Sequence, residues 1–301
     1  MTGPAADPRV TVVVITRDRR CELMRTLAIM TVLPERPRVI VVDNASRDGS
    51  AQAAGSFPGV EVIRAERNLG ALGRNVAVRR VTTPYVAFCD DDTWWEPGAL
   101  RRAADLLDAC PALASVTGRI LVEPGGQEDP ITPELRDSPV PAPAWLPGPA
   151  LLSILAGASM LRVTAFRQAG GFSARLWLGG EEELLSLDLA AAGWWMCWAQ
   201  DVTVHHQAST ARDPRQRRML GIRNTLWTAW LRRPAAGALR HTAAVLGGAP
   251  RDLATATAVF RALAGLPWVL RERRVVPPRV EAGLRLLEAP RRSSPARRYV
   301  G

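Results

Sequence analysis

Residues 10–16 read Val-Thr-Val-Val-Val-Ile-Thr and residues 39–43 read Val-Ile-Val-Val-Asp. A continuous β-branched run with no polar alternation suits a strand covered on both faces. The second run leads into Asn44–Ser50, "NASRDGS", where Asp48-Gly49 marks a turn. Between the two runs, Leu23, Leu27 and Met30 have helical spacing within Arg20–Met30. Further along, Val60–Arg64 reads as a strand, Leu72–Val81 as a helix, Tyr85–Cys89 as a strand, Leu100–Leu107 as a helix and Ser115–Val122 as a strand. Strands alternating with helices at this interval predict an α/β fold, a mostly parallel, doubly wound sheet with helices on both faces. Ligands in such sheets bind beyond the carboxyl ends of the strands. Asp43 and Asp90–Asp92 fall at such ends.

Residues 123–149 hold eight prolines and few periodic apolar residues. They predict a long loop of the kind that serves as a lid. Regular pattern resumes over Ala156–Phe166, Gly170–Phe172 is a turn, and a helix starts at or near Glu181. Trp194–Trp198 and Val202–His205 read as two short strands. From Arg215 the chain is helical, with Leu220, Leu226, Trp227, Trp230 and Leu231 on a broad apolar face. Ala249–Arg274 predicts one or two helices interrupted by Pro267, and the last dozen residues predict disorder. The expected division is an α/β unit over 1–211 and a basic helical extension over 212–301.

The net charge of +10 is uneven: residues 212–301 hold 19 arginines against five acids, and lysine is absent from the chain. Two readings stay open, a solvated basic face or a surface that meets anionic lipid, a phosphorylated carrier or nucleic acid. The four cysteines form no CxxC pair, which suits free thiols in a reducing cytosol. The opening "MTGPAADPRV" has no apolar signal core, and Leu253–Leu270, the most apolar stretch, carries Arg261 in its middle. A cytoplasmic protein without a transmembrane helix is expected, peripheral at the inner membrane face if the basic third binds lipid.

The densest chemistry lies in Phe88–Pro97, "FCDDDTWWEP". In an extended segment Asp90 and Asp92 share a face and Asp91 points away. Two such carboxylates can share one hard divalent cation, with further oxygens from a diphosphate and water. The competing reading is an acidic turn that caps the next helix. Gly179-Gly180-Glu181-Glu182-Glu183 places three acids at a helix start. There they complement the dipole, and an ionised one suits a general base. In His205-His206, at a predicted strand end, a histidine reads as a metal ligand or as structural. Arg74, in the glycine-bearing "NLGALGRN" (Asn68–Asn75), can neutralise a diphosphate, or the segment is an ordinary turn. Asp43 can accept from a base or ribose, or cap its own turn.

In this order and spacing, over roughly residues 9–211, the chain resembles the family 2 glycosyltransferases of the GT-A fold. "VVVITRDR" is similar to that family's first strand and loop, "VVDNASRDGS" to its nucleotide-binding segment, "FCDDDTWWEPGAL" to its DxD strand, and "GGFSARLWLGGEEELLSLDLAAAGW" to its acceptor and base region. The resemblance implies that Asp43 meets the nucleobase with Thr16 and Arg17 nearby, and that Asp91 holds the ribose. It implies that Asp92, with Asp90, binds Mg²⁺ or Mn²⁺, with His205 as a further contact. It implies that Glu182, or its neighbour Glu181, is the base. Glu-Glu-Glu departs from the family's usual Glu-Asp, and Ala77 from a usual glycine. The implied reaction is inverting transfer from a nucleoside-diphosphate sugar to an acceptor hydroxyl on a glycan, a lipid-linked sugar or a small molecule. Trp94, Trp95, Trp145 and Trp177 are candidates to stack on sugars or to pack in the core. A nucleotidyltransferase is the rival enzyme, but it has no use for an acidic base motif after the metal site. A nucleic-acid-binding protein is the rival from another class. The arginines are not interleaved with exposed aromatics, so no nucleic-acid partner is expected. The apolar faces of the C-terminal helices would contact membrane, pack on the α/β unit or join a homodimer.

Overall fold

The computed structural model describes residues 7–207 and 214–293. Its strands are β1 (Val10–Thr16), β2 (Arg38–Asp43), β3 (Val60–Arg64), β4 (Tyr85–Asp90), β5 (Thr93–Trp95), β6 (Leu113–Val122), β7 (Gln127–Glu128), β8 (Ser159–Arg162) and β9 (Trp195–His206). They join in one sheet in the order β3-β2-β1-β4-β8-β6-β9-β5, with β7 on the edge of β6. The β3-β2-β1-β4 half is parallel, as is the β6-β9 pair, while β8 and β5 run antiparallel to their neighbours. The register aligns Thr16 with Asp43 and Ile15 with Asp90, so three carboxyl ends finish side by side.

The helices are α1 (Arg20–Met30), α2 (Ser50–Gly55), α3 (Leu72–Val78), α4 (Ala99–Ala109), α5 (Thr132–Arg136), α6 (Val163–Gln168), α7 (Glu181–Ala191), α8 (Pro214–Arg232), α9 (Ala235–Gly248), α10 (Leu253–Ala264), α11 (Leu266–Arg271) and α12 (Pro278–Ser293). Side chains alternate along a strand, so Val12 and Val14 pack with Leu23, Leu27 and Leu100 on one face of the sheet. Val13, Ile40 and Val42 pack with Ala77, Phe166 and Leu185 on the other. Each fully buried aliphatic side chain contributes roughly 1.5–3 kcal/mol. This two-sided burial is why the interiors of β1 and β2 are almost wholly apolar. A third cluster joins Leu176 and Leu184 to Ile222, Leu226 and Trp227 of α8, Ala258 and Ala262 of α10, and Val269 of α11.

Several sequence expectations change. The two short strands near the C-terminal end of the sheet are one strand, β9, with an irregularity opposite Gly118/Arg119. Ala156–Phe166 is a 3-10 turn (Ala156–Ala158), β8 and then α6. The proline-rich loop contains β7 and α5. Helix α9 falls in the stretch expected to be helical from Arg215, though no separate helix was placed there, and α12 runs through Pro290 into the stretch expected to be disordered; residues 294–301 lie outside the described residues. The break between α10 and α11 falls at Gly265, because Pro267 sits in the first turn of α11, where its missing N–H costs nothing. The expected boundary at 211/212 also lies outside the described residues. Among the described residues no helix is long and apolar enough to cross a membrane.

Candidate active site

Strand β4 ends at Asp90, and the chain turns through Asp91 and Asp92 before β5. The alternation expected of an extended segment therefore fails. Asp91 does not point away: Oδ2 accepts from Thr16 Oγ1 at 2.8 Å, and Arg19 Nη1 lies 3.1 Å from Asp91 Oδ1 and 3.2 Å from Asp92 Oδ2. Asp90 pairs instead with Arg74, and its other oxygen leans on Gly157, where an added Cβ would stand 2.9 Å away. The Arg74 guanidinium carbon sits 5.9 Å from the ring centroid of Phe88 and 5.7 Å from that of Phe172. Burial pushes the Asp91 carboxyl up to about 7 against the pull of Arg19.

Pairing of β5 with β9 sets Thr93 opposite His206 and Trp94 opposite His205. Neighbouring strand residues face opposite ways, so only one histidine can face the aspartates. That one is His206, with Nε2 3.8 Å from Asp92 Oδ1 and Nδ1 3.9 Å from Asp129 Oδ2. His205, the histidine expected there, stacks on Trp94 with centroids 5.5 Å apart, and its Nδ1 lies 2.9 Å from Glu123 Oε1. The structure does not bring His205 to the aspartate cluster.

A hard divalent cation fits the donors present. Carboxylates at a turn and an imidazole backed by a second carboxylate are ligands of Mg²⁺- and Mn²⁺-type ions. Among the described residues no three His, Cys, Asp or Glu side chains form a closed cage. An ion held here would need further oxygens from a diphosphate or water.

The opposite wall is the loop Leu176–Gly180 and the start of α7. Trp177 (φ 63°), Gly179 (φ 82°) and Gly180 (φ 81°) all have left-handed backbone. Such a conformation is costly for tryptophan and persists only where its surroundings hold it. Ala71 N donates to Trp177 O at 2.9 Å, and Asn224 of α8 donates to the carbonyls of Leu176 (2.9 Å), Leu178 (3.0 Å) and Gly179. The turn aims Glu181 and Glu182 into the cleft. Glu181 is buried and its Oε2 has no hydrogen-bond partner, while Glu182 Oε1 accepts from Ala156 N at 2.5 Å. Burial raises both carboxyls; they repel one another, and Arg74 opposes the rise. Glu183 turns away to Arg291 of α12, at 3.0 Å.

These walls enclose a cavity of about 450 Å³. Thr16, Arg17, Arg74, Asp90, Asp91, Asp92, Glu181 and Glu182 line it as the sequence suggested. Asp43 does not; its buried carboxylate accepts from Ser46 N at 3.2 Å, and Asn44 stands at the cavity in its place. Of the four tryptophans, Trp177 lines the cavity, Trp95 is buried in the core, Trp94 stacks on His205 and Trp145 packs edge-on against Trp195. Arg19, and the Gln216, Arg217 and Leu220 of α8, are lining residues that sequence reasoning missed. Arg19 was within reach of that reasoning, since it follows Arg17 in the same loop.

An α/β sheet with an Asp-rich turn at its carboxyl edge, facing a pair of glutamates at a helix start, is the architecture of a GT-A glycosyltransferase. A mannosyltransferase from Pyrobaculum calidifontis, solved with GDP-Man and Mn²⁺, shares this fold with a TM-score of 0.58 at 19% identity, over 96% of this chain and 88% of that one. S. aureus TarS 1-349, solved with UDP, shares it with a TM-score of 0.59 at 19% identity, over 97% and 89%. The chain belongs to glycosyl transferase family 2, whose model matches residues 11–166, and it is a glycosyltransferase. It is 29% identical over 243 residues to an N-acetylglucosaminyl-diphospho-decaprenol L-rhamnosyltransferase of Mycobacterium tuberculosis, covering 67% of this chain and 78% of that protein.

Proposed function

We propose that the chain transfers a sugar, with inversion, from a nucleoside-diphosphate donor to a hydroxyl of a lipid-linked glycan acceptor. The observation that carries this reading is the cavity in which the aspartate turn and the Glu181–Glu182 pair face each other. Asp91 would take the donor ribose, with Thr16 holding its carboxylate. Asp92 and His206 would hold a divalent cation with Asp90 close by, and such an ion supplies Lewis-acid neutralisation of the leaving diphosphate. Arg19 and Arg17 line the same side and add positive charge for phosphate.

Glu182 accepts the proton of the acceptor hydroxyl. The oxygen attacks the anomeric carbon as its bond to the diphosphate breaks, and the diphosphate leaves with the electron pair. Arg74 lies between Asp90 and the glutamates and favours the ionised base. The relatives' donors include GDP- and UDP-linked sugars, and the mycobacterial relative works on a decaprenol-linked acceptor. A polyprenol-bound acceptor would bring this chain to the cytoplasmic face of a membrane.

The test is Glu182→Gln in single-turnover transfer. It should keep nucleotide and Mn²⁺ binding and lose transfer by roughly 10²–10⁴-fold. Full activity in Glu182→Gln with loss in Glu181→Gln would move the base by one residue.

A further inference from the structure

Helix α10 has no polar face. Ala254, Ala258 and Ala262, four residues apart, are buried, and the latter two pack with the side chains of α8. The opposite row is Leu253, Ala256, Phe260 and Leu263, all exposed, with Leu253 at 71%, Phe260 at 72% and Leu263 at 58%. A surface helix of a soluble domain normally turns its large apolar residues inward and its polar ones out. Here the small residues are inside and the large ones outside. Helix α9 repeats the pattern with Ala236, Leu239, Ala243 and Leu246 exposed.

Charge identifies the occupant. Arg251 and Arg261 flank the α10 row, are exposed and make no ion pair among the described residues. The acid beside them, Asp252, is engaged by Arg218 and by the backbone N–H of Thr255. A twofold contact with a second copy would set this cationic patch against itself. An anionic, partly apolar surface satisfies both the row and its flanks. With 12 residues, α10 is too short to cross a bilayer but suits its interface.

We propose that the outer face of α10 docks in the plane of an anionic lipid bilayer, with Leu253, Phe260 and Leu263 below the headgroups and Arg251 and Arg261 on lipid phosphates. The assignment deepens the lipid-linked-acceptor reading and rests on it for its purpose, but not for its test. The full chain is sedimented with vesicles of phosphatidylcholine alone or mixed with phosphatidylglycerol, at low and high salt. Binding to the mixed vesicles is expected at low salt and should fall at high salt. Arg251→Gln and Arg261→Gln should each weaken it about fivefold, and Phe260→Ser with Leu263→Ser by roughly tenfold or more.

These side chains lie outside the cavity, so the variants should keep the wild-type thermal shift with nucleotide and Mn²⁺. That control separates this proposal from the catalytic one. Four outcomes would overturn it: no binding to either vesicle, equal binding to both, wild-type binding by the serine variant, or a dimer in light scattering that Phe260→Ser dissolves while lipid is ignored.

Discussion

Replacing Asn224 by leucine keeps the volume of the side chain and removes its donors. Asn224 is 0% exposed, and its amide reaches three carbonyls of the loop before α7. Leu176 O keeps a second donor, Arg223 Nη2 at 3.2 Å, so two carbonyls lose their partner. An orphaned buried acceptor costs about 1–3 kcal/mol. The loop is half-buried and water can reach part of it, so the expected loss is about 2–4 kcal/mol, or roughly 5–10 °C in melting temperature. The left-handed turn at Trp177 would no longer be held, and the glutamates it aims would drift. Misplacement on the scale of an ångström can cost on the order of 10²-fold in rate. Turnover at saturating donor, followed as nucleoside-diphosphate release, should fall at least tenfold in Asn224→Leu below its melting point. Asn224→Asp, which sets carboxylate oxygens against the same carbonyls, should be worse. Near-normal turnover in a destabilised Asn224→Leu, or an aspartate variant better than the leucine one, would refute the clamp.

Asp92→Asn should fold and lose the Mn²⁺-dependent part of nucleotide stabilisation in a thermal-shift assay. His206→Ala should weaken Mn²⁺ affinity while His205→Ala leaves it unchanged; the reverse order would reinstate His205 as the ligand. Burial raises the Glu182 carboxyl, so the folded state favours its protonated form, and the associated stability is present below the usual carboxylate range and lost as pH rises through the raised value. Glu182→Gln should therefore melt above wild type by roughly 1–3 kcal/mol equivalent at about pH 8, with the gain vanishing near about pH 4; an equal gain at both would show that ionisation is not its source.

Strands β1 and β2 were legible because they are buried on both faces and their sequences are almost continuously β-branched. The helix start at Glu181 was legible from its acids. The resemblance pointed to His205, whereas the structure sets His206 beside the aspartates; periodicity in β9 cannot say which of two adjacent residues faces inward. Only the pairing with β5 decides that. The aspartate turn was misread for a related reason: alternation holds inside a strand, and β4 stops at Asp90. Helix α12 carries Val280, Leu284 and Leu287 at helical spacing, a signal that Pro290 masked. Helix α9, rich in alanine and glycine, offers little periodic contrast. The contribution of α8 to the cavity had no local signature, since Asn224 and Arg217 matter only for what the fold sets beside them.

The aspartate turn and His206 are joined by a very short route. Thr93 pairs with His206, and Gln207 N donates to Asp92 O at 2.9 Å. More than a hundred residues separate the two in the chain, yet their spacing is set by one rung of backbone. The intervening segment, proline-rich loop included, can lengthen, shrink or change its lining without retuning that spacing. For an engineer, this chain is a fixed jaw with an exchangeable palate. A foreign loop grafted between Pro130 and Pro149 would keep Glu123 and Asp129, the partners of His205 and His206, and should leave that spacing as it was.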